Sequence, residues 1–363
     1  MVARSRAVRV RSTIAENAGS MSPSLLNLPS DDGAFCPQKH PSKIPASKRI
    51  WLPLLVPLVA LAWMLTTPSS AQMASNRWTN VQKVILDTDI GGDVDDAYAL
   101  ALLASLREAK VLGVTTVSGP TDQRAQSAAK LLATLGRSEI PIYAGRRSDQ
   151  PMNRQYEWAR DFRSNSMKKF SAVEFLRKQI QGAPGEITLI AIGPLTNLAE
   201  LFVRYPETAR QIKRIVIMGG AIYVGYDSKP PGVSEHNIKC DPVSARVVFT
   251  SGAPLTMVGL DATAMMQLNE EHQKKLFALG TPATDALAAL TNLWGNRIPT
   301  MFDPMAVAYA LGHRFADDQQ QHVVVDDDGL TRITDGPRNV TILLNPQKEA
   351  FLDWYIAILA QKR

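Results

Sequence analysis

The stretch VILDTDIGGDVDDAYAL, residues 84–100, carries five aspartates within ten positions: Asp87, Asp89, Asp93, Asp95 and Asp96. Its left flank, KVILD, is apolar on consecutive positions, as in a strand buried on both faces. Its right flank, DDAYALALLASLREA, reads as a helix with acidic residues in its first turn. A buried strand, an acidic loop and a helix make the opening of an α/β unit. In such units ligands gather beyond the carboxyl end of the strand.

Working outward, the same alternation returns. VLGVTTVSG, ITLIAIG, RIVIMGG and PLTMVGLD are short apolar runs, and RAQSAAKLLATLG and LTNLAELFVRYP between them are helical, with Gly or Pro at their ends. The pattern predicts an α/β fold, an open and mostly parallel sheet flanked by helices with a Rossmann-like core. Near the C-terminus HVVVDDDGLTRIT and RNVTILL alternate like a hairpin, and PQKEAFLDWYIAILAQ is amphipathic. No internal repeat or low-complexity linker interrupts the chain, so one domain is expected over 75–363.

Residues 1–74 read as a leader. The apolar segment 50–65, IWLPLLVPLVALAWML, follows Lys48 and Arg49 and precedes TTPSSAQMA, the order of a signal peptide with a cut near Ala71. It is short for a spanning helix and contains Pro53 and Pro57. Export is therefore expected, to the periplasm or the medium, with a membrane anchor as the alternative if the leader is not cut. The true start is Met1 or Met21. Residues 1–50 hold eight Lys/Arg against three Asp/Glu, which is most of the formal +6. The basic balance thus belongs to the leader, and no nucleic-acid partner is implied. Beyond the leader only Cys240 remains, so no disulfide scaffold is expected, and the thiol reads as a buried small apolar residue.

Carboxylates at a helix N-terminus explain Asp95 and Asp96 taken alone. They do not explain Asp87, Asp89 and Asp93 as well. Like charges this close repel, and a hard divalent cation with oxygen ligands, Ca²⁺ or Mg²⁺, relieves the repulsion. The absence of a His/Cys cluster argues against zinc.

DTDIGGDVDDAYALALL resembles the N-terminal aspartate signature of the nucleoside hydrolase family, the inosine–uridine-preferring nucleoside N-ribohydrolases. GVTTVSG, AIGPLTNLAEL, IVIMGGAI, EHNIKCDPVSARVVF and FDPMAVAYAL follow in the family's order, so the resemblance spans nearly the whole chain after the leader. It implies a nucleoside hydrolase-like fold and a purine or pyrimidine nucleosidase that cleaves N-glycosidic bonds to ribose and free base, in nucleoside salvage. It also implies a small-molecule nucleoside or other N-riboside as partner, and a homo-oligomer. Its implied cofactor is Ca²⁺, held by Asp89, Asp96, the main-chain carbonyl of Thr196 and Asp303, with Asp89 also the base that takes a proton from the attacking water. Asp95, Glu235, Asn237 and Asp303 would hold the ribose hydroxyls, and Trp294 and Tyr226 are candidates to stack on the base.

Each piece has a plainer reading. Thr196 and Asn197 read as helix caps, Gly219–Gly220 as a tight turn, Glu235 and Asn237 as solvated surface, Asp303 as a turn residue before Pro304, and Trp294 as core. Their joint order favours the site.

The chain departs from the family in four places. Asp89 and the Asp95–Asp96 pair are two residues further apart than usual, which predicts a bulged loop with Asp93 facing solvent or backing a ligand. Phe302 stands where many members have the His proposed as acid for the departing base; His236 and His313 are the candidate replacements. Tyr226 and Pro120 replace polar residues expected after the MGG and VSG motifs. Two other functions fit parts of the sequence: an exported riboside-binding module without turnover, which Phe302 favours, and a haloacid-dehalogenase-type phosphatase with Asp87 as nucleophile and Asp89 as acid/base.

Overall fold

A computed structural model describes residues 81–149 and 154–361. The leader and the start of the expected domain lie outside the described residues, as does the apolar segment 50–65. Among the described residues no helix is long and apolar enough to cross a membrane.

Nine strands form one sheet in the order β4-β3-β2-β1-β5-β6-β7-β11-β8. They are β1 (Gln82–Thr88), β2 (Ala109–Thr116), β3 (Ile142–Ala144), β4 (Met167–Lys168), β5 (Ile187–Ala191), β6 (Arg214–Met218), β7 (Leu255–Val258), β8 (Asp317–Gln321) and β11 (Val340–Leu344). All neighbours run parallel except β8 against β11. The α/β architecture read from the sequence is the one observed.

The C-terminal hairpin differs from expectation. VVV and TRI do pair, as β9 (Val323–Val325) and β10 (Thr331–Ile333), but VTILL joins the main sheet beside β7 as β11. Three of its five residues are buried, which fits an interior strand better than the open edge of a two-stranded ribbon.

Apolar side chains on the two faces of the sheet feed two cores. Val84 and Leu86 pack under the helices Asp95–Ser105, Thr121–Thr134, Phe302–Ala310 and Lys348–Leu359. Ile85, between them, points to the opposite core with the helices Ala172–Gly182, Thr196–Arg204 and Pro242–Phe249. Strand residues alternate faces, so a run apolar at every position must be covered twice.

The order matters for function. From β1 the chain winds outward to β2, β3 and β4, then returns to β5 on the other side of β1. Loops after β1 and β5 leave in opposite directions and open a crevice at this switch point.

Candidate active site

That crevice is a cavity of about 530 Å³. β1 delivers Asp89 at its end; the helix Asp95–Ser105 delivers Asp95 and Asp96 in its first turn; the helix Phe302–Ala310 delivers Asp303 in its own. All four are buried at 8% exposure or less. One carboxylate oxygen from each of Asp95, Asp96 and Asp303 lies within 4.8 Å of the others. Two helix N-termini meeting here help to stabilise the charge.

Burial raises the pKa of Asp95, Asp96 and Asp303 well above the ordinary carboxylate value, and repulsion from neighbouring aspartates, Asp89 and Asp93 among them, adds to it. Asp89 is raised too, chiefly by burial, against the pull of Arg124. Thr88 Oγ1 donates to Asp96 at 2.5 Å and the Asp303 N–H to Asp95 at 3.2 Å, which fixes both carboxylates. An all-oxygen, buried, self-repelling set of this kind suits a hard divalent cation. The donors therefore fit the metal that the sequence implies.

The opposite wall comes from β6 and the short helix His236–Cys240. Glu235 caps that helix and is buried, not solvated: its carboxylate accepts from the N–H groups of Gly220 and Asn237, both at 3.0 Å, and Ile238 at 3.2 Å. Asn237 Nδ2 donates to the carbonyls of Ile192 and Met218 at 3.2 and 3.1 Å, tying the ends of β5 and β6 together. The Gly219–Gly220 pair is more than a turn, since a Cβ at Gly219 would lie 3.3 Å from Glu235 Oε2 and one at Gly220 2.6 Å from Met257 Sδ.

Aromatic residues line the rest. Phe302 meets Tyr226 edge to face, with ring centroids 6.1 Å apart, and half-buried Trp294 carries the Arg297 guanidinium 4.0 Å from its own centroid. Tyr226 Oη accepts from the His236 N–H at 2.8 Å, and His236 itself lines the cavity. His313 is elsewhere: it pairs with Glu108 at 2.7 Å and packs on Trp354, so it does not replace an acid at this site. Asp93 lines the cavity from an exposed loop position.

Thr196 falls outside this group. It is the first residue of the helix Thr196–Arg204, where a carbonyl points along the helix axis toward the residue four positions on. Its hydroxyl donates to Asp241 at 2.7 Å, and it lines a neighbouring cavity of about 300 Å³ with Cys240 and Asp241. Neither Thr196 nor Asn197 caps the helix, and Asn197 Nδ2 instead donates to Asp87 at 2.7 Å. The residue that lines the acidic cavity from the end of β5 is Ile192. Its signal in the sequence is its place as the last apolar residue before Gly193, where a Cβ would come within 2.9 Å of Asp89 Oδ1. Arg124, Ser118, Met218 and Arg297 also line the cavity and were not singled out from the sequence.

Asp87 does not face the cavity. It is fully buried, accepts from Thr115 Oγ1 at 2.5 Å and from Asn197, and burial pushes its pKa up to about 7. A phosphatase nucleophile must reach its substrate, and this carboxylate does not.

The family model described as inosine-uridine preferring nucleoside hydrolase matches residues 84–353. The pyrimidine-specific ribonucleoside hydrolase RihA of Shewanella sp. (strain ANA-3) is 31% identical over 311 residues, covering 76% of this chain and 96% of the relative. Among solved structures, a plant nucleoside hydrolase superposes with a TM-score of 0.69 at 25% identity, covering 78% of this chain and all of the other. A purine-preferring ribonucleoside hydrolase from Gardnerella vaginalis gives 0.68 at 25% identity, covering 77% and 98%.

Proposed function

The chain belongs to the inosine-uridine preferring nucleoside hydrolase family, and from that premise we propose that its cavity splits the N-glycosidic bond of a ribonucleoside, or a related N-riboside, into ribose and free base, with Ca²⁺ as the bound cation. The observation that carries the reading is the buried triad Asp95, Asp96 and Asp303 in one cavity with Asp89, Glu235 and Asn237. A polyol and a hard cation share the need for many oxygen partners in a small space.

Asp89, Asp96 and Asp303 would hold the cation, with Ile192, which lines the cavity just past β5, taking the place of Thr196 as the main-chain ligand. When bound, such a cation lowers the pKa of the attacking water. Asp89 takes that water's proton. As the bond from the sugar to the base breaks, its electron pair leaves with the base nitrogen and positive charge grows on the ring. Asp95, Asp303 and Glu235 stabilise that charge and, with Asn237, hold the hydroxyls; preorganised carboxylates in a desolvated site do this best. Trp294, Tyr226 and Phe302 form an apolar wall for the base. Phe302 has no proton to give, so protonation of the departing base falls to another cavity group, with His236, which lines the cavity, as the candidate.

The enzyme is proposed to act outside the cytoplasm and as a homo-oligomer. The basic flank, apolar segment and small residues of the leader support export; the mass of the mature N-terminus and the solution mass test the two claims.

The function itself is tested by chromatography of free base from a panel of pyrimidine and purine ribonucleosides, since the similar proteins include pyrimidine-specific and purine-preferring hydrolases. Appearance of base supports it. Tight ribose binding with no base released from any member favours a binding module instead.

A further inference from the structure

Arg124 stands in the first turn of the helix Thr121–Thr134, is 2% exposed and lines the acidic cavity. Its Nε donates to the Ser118 carbonyl at 2.7 Å, while Nη1 donates to the carbonyl of Asp89 and, at 3.0 Å, to that of Ile90. Three main-chain carbonyls thus converge on one buried guanidinium.

What they belong to explains the arrangement. The loop from Asp89 to Val94 is the one that is two residues longer than its family pattern, and it contains Gly91, at φ 96°, and Gly92. Two glycines leave a backbone with many alternatives to the one needed. A Cβ at Gly92 would lie 3.7 Å from Arg124 Nη1 and 3.5 Å from Asp89 Oδ2, so the loop runs close against both groups. On the other side, Ser118 has φ 64°, a left-handed conformation that a non-glycine residue holds only when its surroundings require it. The guanidinium bonds to both turns at once and so ties the carboxyl end of β1 to that of β2. Only a planar fork with donors in fixed directions can do this; a lysine is a point charge on a flexible stem.

We propose that Arg124 is a positioning residue for the hydrolysis: through the main chain of Asp89 it fixes where that carboxylate stands, so that cation and attacking water meet it in one geometry. The claim rests on the proposed reaction. It needs no contact between Arg124 and the substrate.

A second anchor keeps the variants foldable. Gln155 Nε2 donates to the carbonyls of Gly92 and Asp93 at 3.3 and 3.0 Å, so the far half of the loop stays tied when Arg124 is changed.

The experiment compares Arg124→Lys and Arg124→Gln with the unchanged protein on its best ribonucleoside at saturating Ca²⁺, with Ca²⁺ affinity measured by calorimetry on the same samples. Supporting partners of a metal site characteristically set affinity or rate by about 10–100-fold. In both variants kcat is expected to fall by about that factor, Ca²⁺ binding to weaken by about tenfold, and KM to change less than about threefold. Unchanged kcat and unchanged Ca²⁺ affinity would overturn the proposal, as would a rise in KM with kcat intact, which marks a direct substrate contact. If the unchanged protein cleaves no ribonucleoside, the hydrolase reading fails on its own, and the calorimetry still decides whether Arg124 sets the metal site.

Discussion

The main-chain N–H of Asp303 donates to the Asp95 carboxylate at 3.2 Å across 208 positions of sequence. The bond joins the first turns of two packed helices, Asp95–Ser105 and Phe302–Ala310. It brings the first acidic motif and the last into one site, where Asp96 completes a triad of buried carboxylates. The architecture sets acids against each other, and the consequences are measurable.

Removing one charge should trade function for stability. Asp96→Asn keeps an oxygen to accept from Thr88 Oγ1 and relieves the repulsion with Asp89 and Asp93. In chelator the variant should melt higher than the unchanged protein, while Ca²⁺ no longer raises its melting temperature and turnover falls at least ~100-fold. Differential scanning calorimetry with and without Ca²⁺ checks both halves.

Stability should depend on pH in a direction set by the same acids. Asp95, Asp96 and Asp303 have pKa values raised by burial, so the folded metal-free protein binds protons more tightly than the unfolded chain. Their contribution is fully present below the unfolded carboxylate value of about 4 and is lost as pH rises through the raised folded values. In chelator, melting at pH 8 should therefore be lower than at pH 5.5 from this contribution. Ca²⁺ should restore more at pH 8, because it binds the ionised form; equal Ca²⁺ stabilisation at both values would count against the triad as its site.

Glu235 should matter to fold as well as to substrate. Its carboxylate serves three buried N–H groups, and an orphaned buried donor costs roughly 1–3 kcal/mol. Glu235→Ala should lower the denaturation midpoint strongly. Glu235→Gln, which keeps one accepting oxygen, should fall between, and both should raise KM.

Gly193 should be a lever on Asp89. An added Cβ would meet Asp89 Oδ1 and Val117 Cγ1, both at 2.9 Å. Overpacking of this kind costs about 1–3 kcal/mol. Gly193→Ala is expected to lower kcat more than it raises KM, since it displaces the base and leaves Glu235 and Asn237 in place; steady-state kinetics separates the two.

Much of this was legible in the sequence because apolar runs at consecutive positions leave a chain few options. β1, β5 and β6 announce doubly covered strands, and Asp89, Asp95, Asp96, Glu235, Asn237 and Asp303 all reach one cavity. The misses have physical reasons. β8 is an exposed edge of polar residues, DDQQQ, and β4 has only two residues, so neither carries an apolar signal. VTILL alternates like a ribbon strand, and only its partner, β7, reveals it as interior. Ile192 lines the cavity as an apolar residue and Arg124 bonds to main-chain carbonyls, which no side-chain motif advertises, whereas Thr196, the ligand implied by the resemblance, lines the neighbouring cavity.

The central claim is that these acids hold a cation and a sugar for hydrolysis. It is tested most directly by reducing-sugar release from the best ribonucleoside, with and without chelator, for the unchanged protein and for Asp89→Ala at matched folded content. Sugar release by the unchanged protein, its loss in chelator with recovery on adding Ca²⁺, and a kcat lower by about 10²–10⁴-fold in the variant, the usual contribution of a positioned base, are the expected results. Sugar released undiminished by Asp89→Ala, or undiminished in chelator, would contradict it.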